Sequence, residues 1–305
     1  MIDLRRLQAL VAVAEYGTVT AAAKALSFTP SAVSQQIGQL AQDLDAELLE
    51  RQGRRVHLTP AAHALLAHAS TIQAQWEQAK AELAATTGLV HGTLRICGVS
   101  SAIAALAAPA TNQLQLQHPN LHVLLREEES AACYQLLLTD ESDIALVLPT
   151  MDAPDPTDAR FEQQAVLTDP QDLLVPESHA LAQTGGVDLA DAAEESWIVK
   201  RHDNDSYTLL SVACAAAGFT PHIAHEAKEW YAVSSLVAAG LGVCLLPRIV
   251  PLPASHPVVR VPLTGRSAPA RRILTSVRRG SADHPAIAAG LSALHDVADN
   301  DRRSH

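Results

Sequence analysis

The sequence predicts an α/β protein in three parts: a small helical head ending in a hairpin, one long connecting helix, and a C-terminal body of two α/β lobes. Three observations carry this. Apolar residues make up 48% and charged residues 18% of the 305, enough to fill a core in each of about two domains at ~150 residues per domain. Charge divides unevenly: residues 1–58 hold six basic and six acidic groups, 59–87 carry −1, and the remaining 218 hold 15 basic against 25 acidic. Finally, apolar residues keep helical spacing to about residue 85, beyond which strand-like runs alternate with helical ones. No run of eighteen uninterrupted apolar residues exists, so a membrane span is not expected. Asp3, Arg5 and Arg6 crowd the first six residues with no small-residue cleavage site after them, unlike a signal peptide. Four widely spaced cysteines suggest reduced thiols and a cytoplasmic setting. The net charge of −11 argues, as an average, against a nucleic-acid partner; the division by segment removes that objection for the head.

The head begins with Leu4, Leu7, Val11 and Ala14 at helical spacing, stopped by Gly17. Thr18 caps a short second helix through Ala22, Ala23 and Leu26. Thr29 as N-cap and Pro30 as first helical residue open a third, on which Val33, Ile37, Leu40 and Leu44 form one stripe. Ser31, Ser34, Gln35, Gly38 and Gln42 share the opposite face. An exposed helix usually carries Glu and Lys there; short hydroxyls and amides suit a helix laid in a DNA major groove, where Gln pairs with adenine and Ser reaches base edges or phosphates. Three such helices describe a helix-turn-helix, the alternative being a helical module with an ordinary polar face. Residues 47–59 read as two short strands around Gln52-Gly53, with Arg51, Arg54 and Arg55 at the tip. Alone that is a solvated turn; beside this third helix it is placed to reach phosphates or a minor groove.

These runs carry a resemblance. Leu4-Arg5-Arg6-Leu7, Thr20-Ala21-Ala22-Ala23-Lys24-Ala25-Leu26, Ser31-Ala32-Val33-Ser34-Gln35-Gln36-Ile37, Leu48-Leu49-Glu50-Arg51 and Arg54-Arg55-Val56-His57-Leu58-Thr59-Pro60 together resemble the winged helix-turn-helix of LysR-type transcriptional regulators, over about sixty positions without a gap. The resemblance implies that Thr29, Pro30, Ser31, Ser34 and Gln35 face DNA, with Arg51, Arg54 and Arg55 on or beside the wing. Ala21 departs where the family often has a basic residue, which removes one expected phosphate contact. Asp45 stands in place of the usual glycine after the third helix, tolerable because Asp adopts left-handed conformations better than most. His63 stands near another common glycine.

From Pro60 the pattern is helical to about Ala85, with Ala62, Leu65, Ala69, Ile72, Trp76, Ala79 and Leu83 in steps of three and four: a heptad seam. A helix of about 25 residues is roughly 37 Å long at ~1.5 Å per residue, too long to pack wholly on a sixty-residue head. Its seam wants another helix, from a second subunit or from its own chain. The resemblance implies the first, with Leu65, Ala69, Ile72, Trp76 and Leu83 as dimerisation residues in a homodimer or homotetramer facing a two-fold operator.

Thr86-Thr87, Gly88 and Gly92 mark a boundary. The resulting division is 1–58 for DNA binding, 59–87 for the linker, and 88–305 for effector binding. Within the last, lobe I takes about 88–161 and 266–305, and lobe II about 162–265. Strands are expected at Thr93–Val99, His122–Arg126, Asp143–Leu148, Gln164–Val175, Ser196–Lys200, His222–Ala227, Val243–Pro247, Val258–Pro262 and Arg271–Val277. Helices are expected at 101–117, 131–139, 206–217, 230–239 and 285–298. Such alternation suggests parallel-rich sheets, with a first crossover near 160–164 and a return near 263–270. The arrangement resembles the same family's effector-binding region, itself like periplasmic binding proteins; Gly240-Leu241-Gly242-Val243-Cys244-Leu245-Leu246-Pro247 resembles its most characteristic C-terminal run.

Ligands in such folds sit between the lobes, at strand C-terminal ends and helix N-termini. Ser100 and Ser101 open a helix directly after a strand, with Val147 and Pro149 beside them. The opposing lobe offers Lys200, Arg201 and His202 after a strand, and Glu229, Trp230 and Tyr231 before a helix. The plainer readings are an N-cap for the serines and a solvated loop for Arg201 and His202. No metal or cofactor is expected: His222 and His225 face opposite sides of a strand, and His63 and His68 diverge on a helix. No GxSxG, Walker A or HExxH run offers an enzyme its nucleophile or phosphate loop. The expected partners are double-stranded DNA, a small-molecule effector, a second copy of the chain and, through the family, RNA polymerase, with no membrane. The competing reading is a small-molecule binding protein whose helical head serves assembly.

Overall fold

The computed structural model describes residues 3–26, 28–52, 55–86, 88–150, 153–201, 204–265 and 268–304. Arg54, expected on the wing, and His202, expected at the cleft, fall outside these, and for Arg51 and Arg55 only the backbone is described.

The head is built by its caps. Asp3 opens α1 (Leu4–Tyr16), and Gly17 at φ 73° ends it. Thr18 accepts from the Ala21 amide to start α2 (Val19–Ala25); Thr29 accepts from the Ala32 amide to start α3 (Pro30–Asp43). Leu7, Leu10, Val13, Val33, Ile37 and Leu40 interlock as one buried cluster. Asp45, at φ 49°, takes the left-handed conformation expected of it. β1 (Leu49–Gln52) and β2 (Arg55–Leu58) pair antiparallel as the wing. Thr59 then caps α4 (Pro60–Ala85), a 26-residue helix.

The seam on α4 splits. Leu65, Ala69 and Ile72 pack on the head's core, so the first half of the stripe serves its own chain, because a three-helix core needs a fourth wall. Trp76 and Leu83 stay exposed at 51% and 69%.

Lobe I surrounds β3 (Gly92–Gly98), β4 (Leu121–Glu127), β5 (Ile144–Val147) and β11 (Ala270–Arg278), covered by α6 (Ala108–Gln117), α7 (Ser130–Leu138) and α10 (Pro285–Ser304). A short α5 (Ser100–Ala102) leads through a π turn (Ile103–Ala107) into α6. That wide turn lies directly before Pro109, whose ring cannot accept a regular preceding turn. Lobe II holds β7 (Ser196–Lys200), β8 (His222–Ala227), β9 (Cys244–Pro247) and β10 (Val258–Pro262), with α8 (Asp205–Ala216) and α9 (Trp230–Ala238).

Two expectations need correction. β3 pairs parallel with β4 and β5, and β7 with β8, but β6 (Phe161–Pro176) pairs antiparallel with β9, β10 and β11, and β11 with β5. The sheets are therefore mixed, because the chain's two passes between lobes run in opposite directions. The outward pass also lies later than 160–164. Residues up to Pro170 pair with β11, and from Gln171 β6 pairs with β9 and β10. The lobe boundary accordingly moves from 161/162 to Pro170/Gln171, since one long strand belongs to both lobes.

Gly242 explains the Gly240–Pro247 run. At φ 149° it passes so close to the Ser196 carbonyl that a Cβ would sit 2.3 Å from that oxygen. Gly280 does the same against α4, where a Cβ would meet the Ala74 carbonyl at 2.4 Å. Beside it, Arg278 Nε lies 3.2 Å from Glu77 Oε1, an ion pair whose angle is not that of a hydrogen bond. Among the described residues no helix is long and apolar enough to cross a membrane.

Candidate functional site

On α3 the apolar stripe is fully committed to the head, with Val33, Ile37 and Leu40 at most 1% exposed. The rotation this fixes leaves Thr29, Pro30, Ser31, Ser34, Gln35, Gly38 and Gln42 exposed together. A groove runs past Ser34, Gly38 and Gln42 toward residues 45–49. The Thr29 hydroxyl is occupied by its cap and sits 3.0 Å from the Ser31 hydroxyl, so Thr29 sets the start of the helix, while Ser34 and Gln35 remain open to a partner. The expected DNA-facing residues of α3 thus form one surface. The wing follows it through β1 and β2, whose arginine side chains lie outside the described residues.

Between the lobes the sequence-derived residues fare unevenly. Ser101, 3% exposed, accepts a 2.6 Å hydrogen bond from Arg271 Nη2. It is no N-cap: α5 has no side-chain cap. Arg271 in turn donates to Asp169 Oδ2 at 2.9 Å, across the β11–β6 ladder where the two are direct partners. Burial pushes the Asp169 carboxyl up, against the pull of the Arg271 guanidinium. Ser100 is half-buried beside this trio, and Pro149 is exposed. Val147 must be corrected: it is buried with Cys133, Tyr134 and Phe161 in the lobe I core, because strand alternation puts it beneath α7.

From lobe II, Lys200 is only 8% exposed and its ammonium lies 5.2 Å from the centre of the half-buried Trp230 ring, a cation–π contact. Burial lowers the Lys200 pKa, opposed by Glu129 and Glu229. Arg201 is exposed. The lobes meet through residues the sequence did not reveal. Asn204 Nδ2 donates to Glu129 Oε1 at 2.5 Å, and the Ser130 hydroxyl donates to Asp205 Oδ2 at 2.5 Å while accepting from the Leu148 amide at 2.9 Å. Burial, then the Asp205 charge, raises the Glu129 pKa. The available signal was Asp169 and Asp172 close together in one strand run, two carboxylates that need partners once the strand is buried; Asp172 is held by Arg248 at 2.6 and 3.1 Å. Ser101→Ala strips Arg271 of a buried acceptor. It is expected to destabilise the protein by about 1–3 kcal/mol, measured as a shift in the urea midpoint at unchanged slope.

This pairing of a reading helix with a two-lobed cleft has a counterpart. The family model described as LysR substrate binding domain matches residues 87–299, and that described as bacterial regulatory helix-turn-helix protein, lysR family, matches residues 4–63. The chain belongs to the LysR family. It is therefore a DNA-binding transcriptional regulator with an effector-binding domain, in a family of regulators rather than enzymes. Among curated LysR relatives it is 29% identical to the transcriptional dual regulator GltC of Bacillus subtilis over 250 residues, covering 81% of each chain. It is 30% identical to the regulator ShiR of Corynebacterium glutamicum over 275 residues, covering 88% of this chain and 91% of that one. Full-length BenM superposes with a TM-score of 0.61 at 25% identity, covering 99% and 98%. A full-length OxyR variant from Pseudomonas aeruginosa gives 0.65 at 19%, covering 98% and 95%, a likeness of fold. Ser101, Arg271 and Asp169 sit where the crossing strands β6 and β11 pair, and the Lys200 charge lies near enough to feel both Glu129 and Arg271.

Proposed function

We propose that this LysR regulator binds an interrupted palindromic operator as a dimer or tetramer, and that a small molecule held between its lobes shifts the spacing of the two heads. The observation that carries the reading is the uncharged exposed face of α3, with Ser31, Ser34 and Gln35 on one side and Val33 and Ile37 locked into the head behind them. Arg51, Arg54 and Arg55 of the wing supply phosphate contacts. Trp76 and Leu83, the exposed half of the α4 seam, meet the same helix of a second subunit. Ser100, Ser101, Arg201, His202 and Trp230, with Lys200 and Arg271, hold the effector, and Pro149 borders the site. Contact with RNA polymerase and a cytoplasmic location follow from the same reading.

A gel-shift on the DNA beside the protein's own gene tests it, with Ser34→Arg and Arg54→Ala variants. Ser34→Arg puts a long cation where a short hydroxyl meets base edges and is expected to abolish specific retardation; Arg54→Ala is expected to weaken binding on all sequences alike and flatten its salt dependence. Unchanged binding in both variants would overturn the proposal.

A further inference from the structure

A cavity of about 160 Å³ lies where the head, α4 and lobe I meet. Its apolar walls come from all three: Leu7 on α1, Leu66 on α4 and Leu138 at the end of α7. Among the described residues two polar contacts tie the head to lobe I here, Arg160 Nη1 to Glu15 Oε2 at 3.0 Å and Gln8 Nε2 to the Leu138 carbonyl at 3.3 Å.

The cations lining the cavity are not equivalent. Arg160 is answered by Glu15 and, at 2.7 Å, by Asp158. Arg278 is answered by Glu77, Asp140 and Asp143. Among the described residues, the Arg279 side chain donates only to carbonyls, from Nε to Ala159 and from Nη2 to Phe161, both at 2.8 Å. Asp158 is near enough to feel its charge but is held by Arg160. Exposed Arg279 therefore keeps a cation at the cavity with no carboxylate in ion-pair contact among the described residues.

We propose that this cavity is a second ligand site, distinct from the interlobe cleft, for a small monoanion with an apolar body: an aryl or branched-chain carboxylate. An apolar cavity of about 150 Å³ takes one benzene ring, so sugars and nucleotides are excluded by polarity and size. Leu7, Leu66 and Leu138 enclose the body and Arg279 takes the carboxylate. Because the walls come from three parts of the chain, occupancy favours the state in which the head rests on lobe I. Only this last consequence depends on the regulator reading.

The test uses the full-length protein and 4-fluorophenylacetate, followed by fluorine NMR. Saturable binding at one site per chain is expected. Ser70→Phe fills the cavity from α4 and Leu138→Phe from lobe I; either is expected to abolish binding, folding being checked by circular dichroism. Arg279→Gln is expected to weaken the carboxylate about tenfold and leave 4-fluorophenylacetamide unchanged, and it decides the matter if neither filled variant folds. Absence of saturable binding, indifference to a folded cavity-filling variant, or equal loss of acid and amide in Arg279→Gln overturns the proposal. Gel-shifts on the same samples report the regulator reading separately, so either can fail alone.

Discussion

Arg278→Met is expected to destabilise the protein by about 3–5 kcal/mol at neutral pH, toward the lower end, and to loosen α4 from lobe I. The Arg278 side chain is 6% exposed, and those of Glu77 and Asp143 are 4% and 10% exposed. Its removal strands two buried carboxylates. Lys80, 2.9 Å from Glu77, and Arg95, 2.7 Å from Asp143, still answer part of that charge. The double variant Glu77→Met, Arg278→Met should recover the share of the loss that comes from Glu77, since an apolar pair of similar volume removes both of those charges together, and leave the share that comes from Asp143. pH gives a second check. Burial works to raise the Asp143 pKa, but the hydrogen bonds and charge of Arg95, with Arg278 behind, hold it below the usual carboxylate value. A depressed carboxyl stabilises the fold above its unfolded pKa of about 3.9 and loses that contribution as pH falls through the folded value. The gap between wild type and Arg278→Met should therefore be widest at neutral pH and shrink below about pH 4. Urea unfolding at pH 7 and pH 3.5 measures both; an equal gap at the two would contradict the assignment.

Gly280→Val is expected to unseat α4 from lobe I at a cost of about 3 kcal/mol or more. The residue sits at φ 85°, where a β-branched side chain is strained, and its Cβ would lie 2.4 Å from the Ala74 carbonyl oxygen and 3.2 Å from its carbon. Neither neighbour is a flexible side chain, so the helix has to move. Hydrogen exchange should show faster exchange of the α4 amides around residues 74–78, while those of β7 and β8 in lobe II keep their protection. Unchanged exchange on α4 would show that the turn, not the helix, gives way.

What the sequence reveals follows the range of the interactions. Thr29-Pro30 and Thr59-Pro60 announce their helices because a cap is made by neighbours in the chain. The strands Ser196–Lys200, His222–Ala227 and Val258–Pro262 stand where expected, because alternation and turn residues bound them locally. Strand direction is not legible in the same way, because it depends on which distant strand becomes the neighbour. Val147 lies beneath α7 instead of at the cleft, and its run is apolar throughout, leaving no polar face to show which side meets the ligand. Arg271 and Asp169 stand 102 positions apart, and Glu77 and Arg278 further still, so no spacing rule joins them. The seam on α4 marks an apolar face but not its owner. The head's core takes Leu65, Ala69 and Ile72, and geometry alone separates them from Trp76 and Leu83.

β6 gives the effector domain a mechanical character. Of the chain's two passes between the lobes, this one is a continuous 16-residue strand, pegged on either side of the crossing by Asp169 to Arg271 and Asp172 to Arg248. A strand held at both ends flexes like a leaf spring rather than a free joint. Rocking about the peptide between Pro170 and Gln171 would leave the ladders on either side intact, whereas sliding would break them. In the proposed mechanism, closure on a ligand orders little new backbone, so binding energy goes into the angle between lobes instead of into ordering a tether. A rocking angle about a fixed axis is also what a rigid α4, seated by Gly280 on lobe I, can pass along a helix more than thirty ångströms long by the rise of about 1.5 Å per residue.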